Sequence, residues 1–151
     1  MINNDILRRL RYALNINDAK VAELIERAGK KTSEEEVSNW FKREDETGYL
    51  EMPHPQLGRF LDGLIIDKRG PHPSGETPKP LDFLSNNEIL KKLRIALELQ
   101  ADDMVAIFQR VEFVVTKAEL SAFFRRPEHR NYRKCSDQVL KKFIKGLSIK
   151  P

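Results

Sequence analysis

Asn3-Asn4-Asp5-Ile6-Leu7-Arg8-Arg9-Leu10-Arg11-Tyr12-Ala13-Leu14 returns later in the chain as Asn86-Asn87-Glu88-Ile89-Leu90-Lys91-Lys92-Leu93-Arg94-Ile95-Ala96-Leu97, an offset of 83 positions (residue 3 against residue 86). Working outward from this pair, the same offset aligns residues 3–67 with 86–150 without a gap. Nineteen identical pairs fall in that register, among them Arg27/Arg110, Glu36/Glu119, Ser38/Ser121, Phe41/Phe124, Tyr49/Tyr132, Phe60/Phe143 and Gly63/Gly146. Unrelated amphipathic helices share leucines by chance. They do not also share Tyr, Gly, Arg and Asn in a single register, so the chain is an internal duplication.

Each copy reads as four helices. Ile6, Leu7, Leu10 and Leu14 recur at helical spacing, as do Val21, Leu24, Ile25 and Ala28, then Val37, Trp40 and Phe41, then Leu57, Phe60, Leu61 and Leu64. The second copy repeats these stripes with Ile89/Leu90/Leu93/Leu97, Met104/Ile107/Phe108/Val111, Leu120/Phe123/Phe124 and Leu140/Phe143/Ile144/Leu147. Only Phe113-Val114-Val115 offers a strand-like pattern, and its counterpart Lys30-Lys31-Thr32 does not support it. Ser33-x-x-Glu36, Ser85-x-x-Glu88 and Thr116-x-x-Glu119 predict capping boxes. Gly29 predicts the end of the second helix, and Gly63-Leu64 and Gly146-Leu147 predict left-handed helix stops. Four of the eight prolines (Pro71, Pro73, Pro78, Pro80) lie between the copies, where they stiffen an extended connection. The expected organisation is all-α: a first repeat over 1–67, a Pro/Gly-rich linker over 68–84, and a second repeat over 85–151. The linker is long enough for the halves to pack together or to stay apart.

With NNDILRRLRYAL opening one copy, SNNEILKKLRIAL opening the other and SAFFRRPEHRNYRKCSDQVLKKFIKGL following, the chain resembles the YehS-like family of bacterial proteins over nearly its whole length. The resemblance implies a duplicated helical fold in a bacterial cytoplasmic setting. It carries no catalytic residues, because the family is one of unknown function.

Composition narrows the function classes. One third of the residues are charged, and the mean hydropathy is -0.55. No apolar run approaches the roughly 18 residues of a membrane span, and Met1-Ile2-Asn3-Asn4-Asp5 does not read as a secretory signal. A cytoplasmic location is the expectation. The single cysteine, Cys135, forms no internal disulfide and no CxxC metal site. His54, His72 and His129 lie far apart in no metal-binding pattern, and the seven glycines form no phosphate-binding loop. The remaining catalytic candidate is a Cys135–His129 thiol–imidazole pair, with basic neighbours that would lower the thiol pKa. A buried filler role suits a lone cysteine better. The chain is therefore read as non-enzymatic, with no cofactor, metal or small-molecule substrate.

Charge separates the copies. Residues 1–75 hold 12 basic and 13 acidic side chains, whereas residues 76–151 hold 15 and 10. The excess gathers in Arg125, Arg126, Arg130, Arg133, Lys134, Lys141, Lys142 and Lys145, with His129 among them. The matching first-copy stretch, Lys42-Arg43-Glu44-Asp45-Glu46, cancels itself. These eight cations are the candidate nucleic-acid-binding residues. They would neutralise phosphates of DNA or RNA, with Tyr132 available to stack. An ordinary solvated surface is the competing reading, since Phe123, Phe124 and Phe143 fit core spacing and Tyr132 repeats Tyr49.

The order of short helices also distantly resembles a helix-turn-helix. Against it, the connection around Gly29–Thr32 is long, and the presumed reading helix of the first copy opens with Glu34-Glu35-Glu36. The other function class is a protein-interaction module that binds a partner helix or a second identical chain. In that class an exposed Trp40 would be the anchor, although its counterpart Phe123 points to a core role.

Overall fold

A computed structural model describes residues 1–150, which form eight helices. They are α1 (Asn3–Leu14), α2 (Asp18–Arg27), α3 (Glu34–Trp40), α4 (His54–Arg69), α5 (Asn86–Ala96), α6 (Ala101–Gln109), α7 (Lys117–Phe123) and α8 (Asp137–Ser148). Every helix of the second repeat begins 83 positions after its counterpart, at 3/86, 18/101, 34/117 and 54/137. Among the described residues no strand forms, and Phe113-Val114-Val115 leads into α7 as loop.

The repeats share one core. Leu24, Trp40, Phe60 and Leu61 from the first join Phe108, Leu120, Phe143 and Ile144 from the second in a single buried cluster. The packing between repeats is reciprocal: α4 lies on α5, and α8 lies on α1. Because α5 and α8 are the 83-shifted images of α1 and α4, the same pair of helical faces is used twice, as in a two-fold homodimer. The chain also crosses at both ends of this interface. The Leu84 amide donates to His54 Nδ1 (3.2 Å), and at the image positions the Met1 ammonium donates to Asp137 (2.8 Å).

Two asparagines fix the loops that follow α3 and α7. Asn4 is fully buried; its amide donates to the carbonyls of Trp40 (3.0 Å) and Leu50 (2.8 Å) and its oxygen accepts from the Met52 amide (2.8 Å). Asn87 repeats this on Phe123 (3.0 Å), Arg133 (2.9 Å) and the Cys135 amide (2.9 Å). A side-chain amide has the donor–acceptor geometry of a peptide group, so each asparagine completes the backbone bonding of a loop that has no strand to pair with. Asn3 and Asn86 add bonds to the carbonyls of Met52 and Cys135.

Gly63 and Gly146 are not helix stops. Both lie inside α4 and α8, and neither has a positive φ. A Cβ on Gly63 would sit 1.8 Å from the Leu24 carbonyl oxygen, and one on Gly146 would sit 2.3 Å from that of Ile107. They are glycine because α2 and α6 cross at backbone contact there. Left-handed backbone occurs instead at Gly29 (φ 101) and Asn15 (φ 52), and at their images Glu112 (φ 56) and Glu98 (φ 53). Of the expected capping boxes, only Thr116–Glu119 closes in both directions. Ser33 and Ser85 accept from the amides of Glu36 and Glu88 without a return bond, and Asn17 and Ser136 cap α2 and α8 in the same one-way manner.

Gly63→Ala should cost about 3 kcal/mol, since the clash is with backbone and not with a movable side chain; chemical denaturation measures it, and a near-neutral result would contradict the crossing. Asn87→Ala strands two carbonyls and an amide and should cost about 3 kcal/mol. Limited trypsin digestion of that variant should open first in the α7–α8 loop, after Arg125, Arg130 and Lys134, ahead of any helix.

Candidate nucleic-acid interface

Five of the eight candidate cations ride on the loop between α7 and α8, and three on α8 itself. The loop is held to the fold by Asn87 and by the Arg133 amide donating to the Ala122 carbonyl (3.1 Å). Two successive turns, His129 amide to Arg126 carbonyl and Tyr132 amide to His129 carbonyl (both 2.9 Å), then present the side chains outward. Arg125, Arg126, Arg130, Arg133 and Lys134 are exposed, as are Lys141 and Lys145, while Lys142 is half-buried.

Among the described residues only one of the eight has a carboxylate within reach, Arg133 at 3.6 Å from Glu119. That carboxyl is held below the usual range chiefly by the Thr116 amide and hydroxyl. In the first repeat the same loop neutralises itself. Arg43 pairs with Asp45 (3.5 Å) and Glu46 (3.3 Å), and Lys42 is bonded to the Thr47 carbonyl (3.0 Å).

The structure divides the cluster. Arg125 and Arg126 line a small cavity of about 170 Å³ with Glu88, Lys91, Phe124 and Tyr132. Lys145 lines a different and larger groove with Arg8 and Arg9 of α1. The aromatics offer little stacking surface on the loop side. Phe123 and Phe143 are core, Tyr132 is half-buried, and Phe124 is covered by the Arg94 guanidinium at 4.8 Å, as Phe41 is by Arg11 at 4.3 Å. On these rings the core reading holds. Trp40 is also buried, at 1% exposure, and so anchors no exposed interface.

Residues 28–33 separate α2 from α3, a longer connection than the tight turn of a DNA-reading motif. Glu34 and Glu35 stand exposed at the start of α3. That helix faces solvent with carboxylates that phosphates would repel.

Cys135 and His129 do not form a pair. The thiol is buried, and burial pushes its pKa up to about 12, the reverse of the lowering expected from its basic neighbours. The His129 ring is instead bonded to the Asn131 amide (3.0 Å) on the exposed loop. Among the described residues no three His, Cys, Asp or Glu side chains converge to hold a metal ion, and no helix is long and apolar enough to cross a membrane.

The residues that a linear reading misses are Asn4 and Asn87, and, in the groove, Arg9 and Tyr12. Their signal lay in the repeat alignment. The two asparagine pairs are polar identities at the head of the apolar stripes of α1 and α5, and Lys145 stands where the first repeat has Asp62.

Native protein at pH 8 should react with a thiol reagent at least about a thousand-fold more slowly than unfolded protein, because the thiolate is withheld by burial. The folded-state pKa lies above the ordinary value near 9, so this stabilisation is complete below pH 9 and is lost as pH rises toward 12. Cys135→Ala should remove that alkaline component of the denaturation profile.

The family model described as "Protein of unknown function (DUF1456)" matches residues 3–70 and again 86–151. A relative from Escherichia coli (strain K12), printed as "Uncharacterized protein YehS", is 39% identical over 150 residues, which is 99% of this chain and 96% of that protein. No solved structure matches. Two consecutive matches to one family model, in the register that the helices themselves repeat, establish that the chain belongs to the DUF1456 family and carries its domain twice.

Proposed function

We propose that this chain is a non-enzymatic, nucleic-acid-associated regulatory protein of the bacterial cytoplasm, which holds the phosphate backbone with the cations of its second repeat. The observation that carries the reading is an asymmetry between two otherwise equivalent loops. One neutralises its own arginine with Asp45 and Glu46, and the other leaves Arg125, Arg126, Arg130 and Lys134 without a carboxylate partner among the described residues. Neighbouring exposed cations repel one another, and a polyanion supplies counter-charges in a row. The rigid hold of Asn87 on the loop favours this use, since side chains on an ordered backbone lose less entropy on binding. Shape favours it also: the cations stand on an exposed loop, and Arg125 and Arg126 flank one cavity with Lys91, where three basic side chains outnumber the single carboxylate of Glu88.

Binding of labelled duplex DNA and RNA by the purified chain should weaken steeply between about 50 and 200 mM salt. Three to five phosphate contacts correspond to a loss of about 40- to 500-fold over that range. The triple variant Arg125→Glu/Arg126→Glu/Arg130→Glu should reduce affinity by more than ten-fold at the lower salt while leaving the circular dichroism spectrum unchanged. Binding insensitive to salt, or equal in the variant, would overturn the proposal.

A further inference from the structure

The α4·α5 and α1·α8 seams are one surface used twice, so each is a reference for the other. In the α4·α5 seam the Lys92 ammonium meets the almost fully buried Asp62 carboxylate at 2.5 Å. Arg69 ties the end of α4 to Glu98 (3.4 Å) beyond α5. Linker residues Gly70, Pro71, His72, Pro73, Glu76 and Pro78 wall the cavity beside Asp62. That seam is closed by its own charges and by the linker.

In the α1·α8 seam the same two positions hold Arg9 and Lys145. Two cations replace an ion pair. Neither has a carboxylate within reach among the described residues, whereas neighbouring Arg8 is held by Asp5 (2.9 Å) and by the Lys42 carbonyl (2.7 Å). Among the described residues, none of the linker between the repeats lines this seam. The seam is instead an open groove of about 630 Å³ floored by Ile144 and Ile149, and it continues past Tyr12 into a second hollow of about 600 Å³ beside Lys150. Tyr12 stands between the two hollows with 79% of its surface exposed, where the closed seam has Ile95 at 39%.

We infer that the α1·α8 groove holds a single-stranded nucleic-acid segment, with a phosphate bridging Arg9 and Lys145 and a base stacked on the Tyr12 ring. Like charges facing each other across a groove repel, and an anion shared between them reverses the sign of the interaction. Tyr12 supplies a flat, exposed face of the kind on which unpaired bases stack, and which an acidic peptide does not need. Stacking on the Tyr12 ring needs an unpaired base, which a single strand offers and an intact duplex does not. The inference rests on the proposed nucleic-acid role and adds the form of the ligand and a second contact site.

The test uses the full chain and a labelled oligothymidylate of about twelve nucleotides, alongside a duplex of equal length and a poly-glutamate peptide. Lys145→Asp places a carboxylate opposite Arg9, as in the closed seam, so the fold should be retained; an unchanged denaturation midpoint checks this. That variant should weaken single-strand binding more than ten-fold, and Tyr12→Phe should bind like the parent. Tyr12→Ala should weaken it at least five-fold and lose the tyrosine fluorescence quenching that stacking produces. Single-strand binding that survives both Lys145→Asp and Tyr12→Ala but falls with the loop triple variant would overturn this inference and leave the loop proposal standing. Loss with the groove variants alone would uphold the groove and remove the loop. Binding of the peptide in preference to the strand, or of neither nucleic acid, would overturn the groove assignment.

Discussion

Everything in this fold hangs on a carboxamide buried where an apolar side chain is normally found. Asn4 and Asn87 sit at the starts of α1 and α5, and each satisfies two carbonyls and one amide of the loop that follows α3 or α7. An unsatisfied buried peptide group costs about as much as a typical core substitution, so these loops take their course because the asparagine is there. The consequence extends outward. The course of the α7–α8 loop decides where its five cations emerge, and the docking of α1 and α5 decides where the inter-repeat seams lie.

Geometry and charge have separate histories in the two halves. Helix starts, asparagine contacts, close-approach glycines, the left-handed pairs Asn15/Glu98 and Gly29/Glu112 and even the arginine over a phenylalanine recur at one offset. Several exposed charges and their pairings do not recur. Arg43 with its acidic partners becomes Arg126 without them, and Asp62 becomes Lys145. Packing constraints forbid change in the first set, because a Cβ at Gly63 or Gly146 has nowhere to go. No such constraint acts on exposed side chains, which are free to acquire a different electrostatic role.

Periodicity and the repeat made the helices and their number legible, since a period of 3.6 leaves a trace in any window. The glycines show where such reading stops. A Gly followed by Leu has the same letters whether it ends a helix or lets two backbones touch, and only the approach of Leu24 distinguishes the cases. Capping boxes were half legible for a similar reason: the hydroxyl bond is local, but the return bond depends on a rotamer. The candidate cations were legible as residues and illegible as a surface, because a linear cluster from 125 to 145 is divided by the fold between a loop and a helix that face different neighbours. Cys135 was misjudged electrostatically, since nearness in sequence to arginines says nothing of the desolvation that governs its proton.

The reciprocal packing of α4 on α5 and α8 on α1 has one more consequence. In a dimer of separate identical subunits, any substitution at a two-fold contact is made on both sides at once, so the two contacts must always be alike. Joining the subunits into one polypeptide dissolves that obligation. Each contact can then be revised alone, one locked by opposite charges and the other lined by two cations, and a symmetric scaffold becomes a molecule with a front and a back.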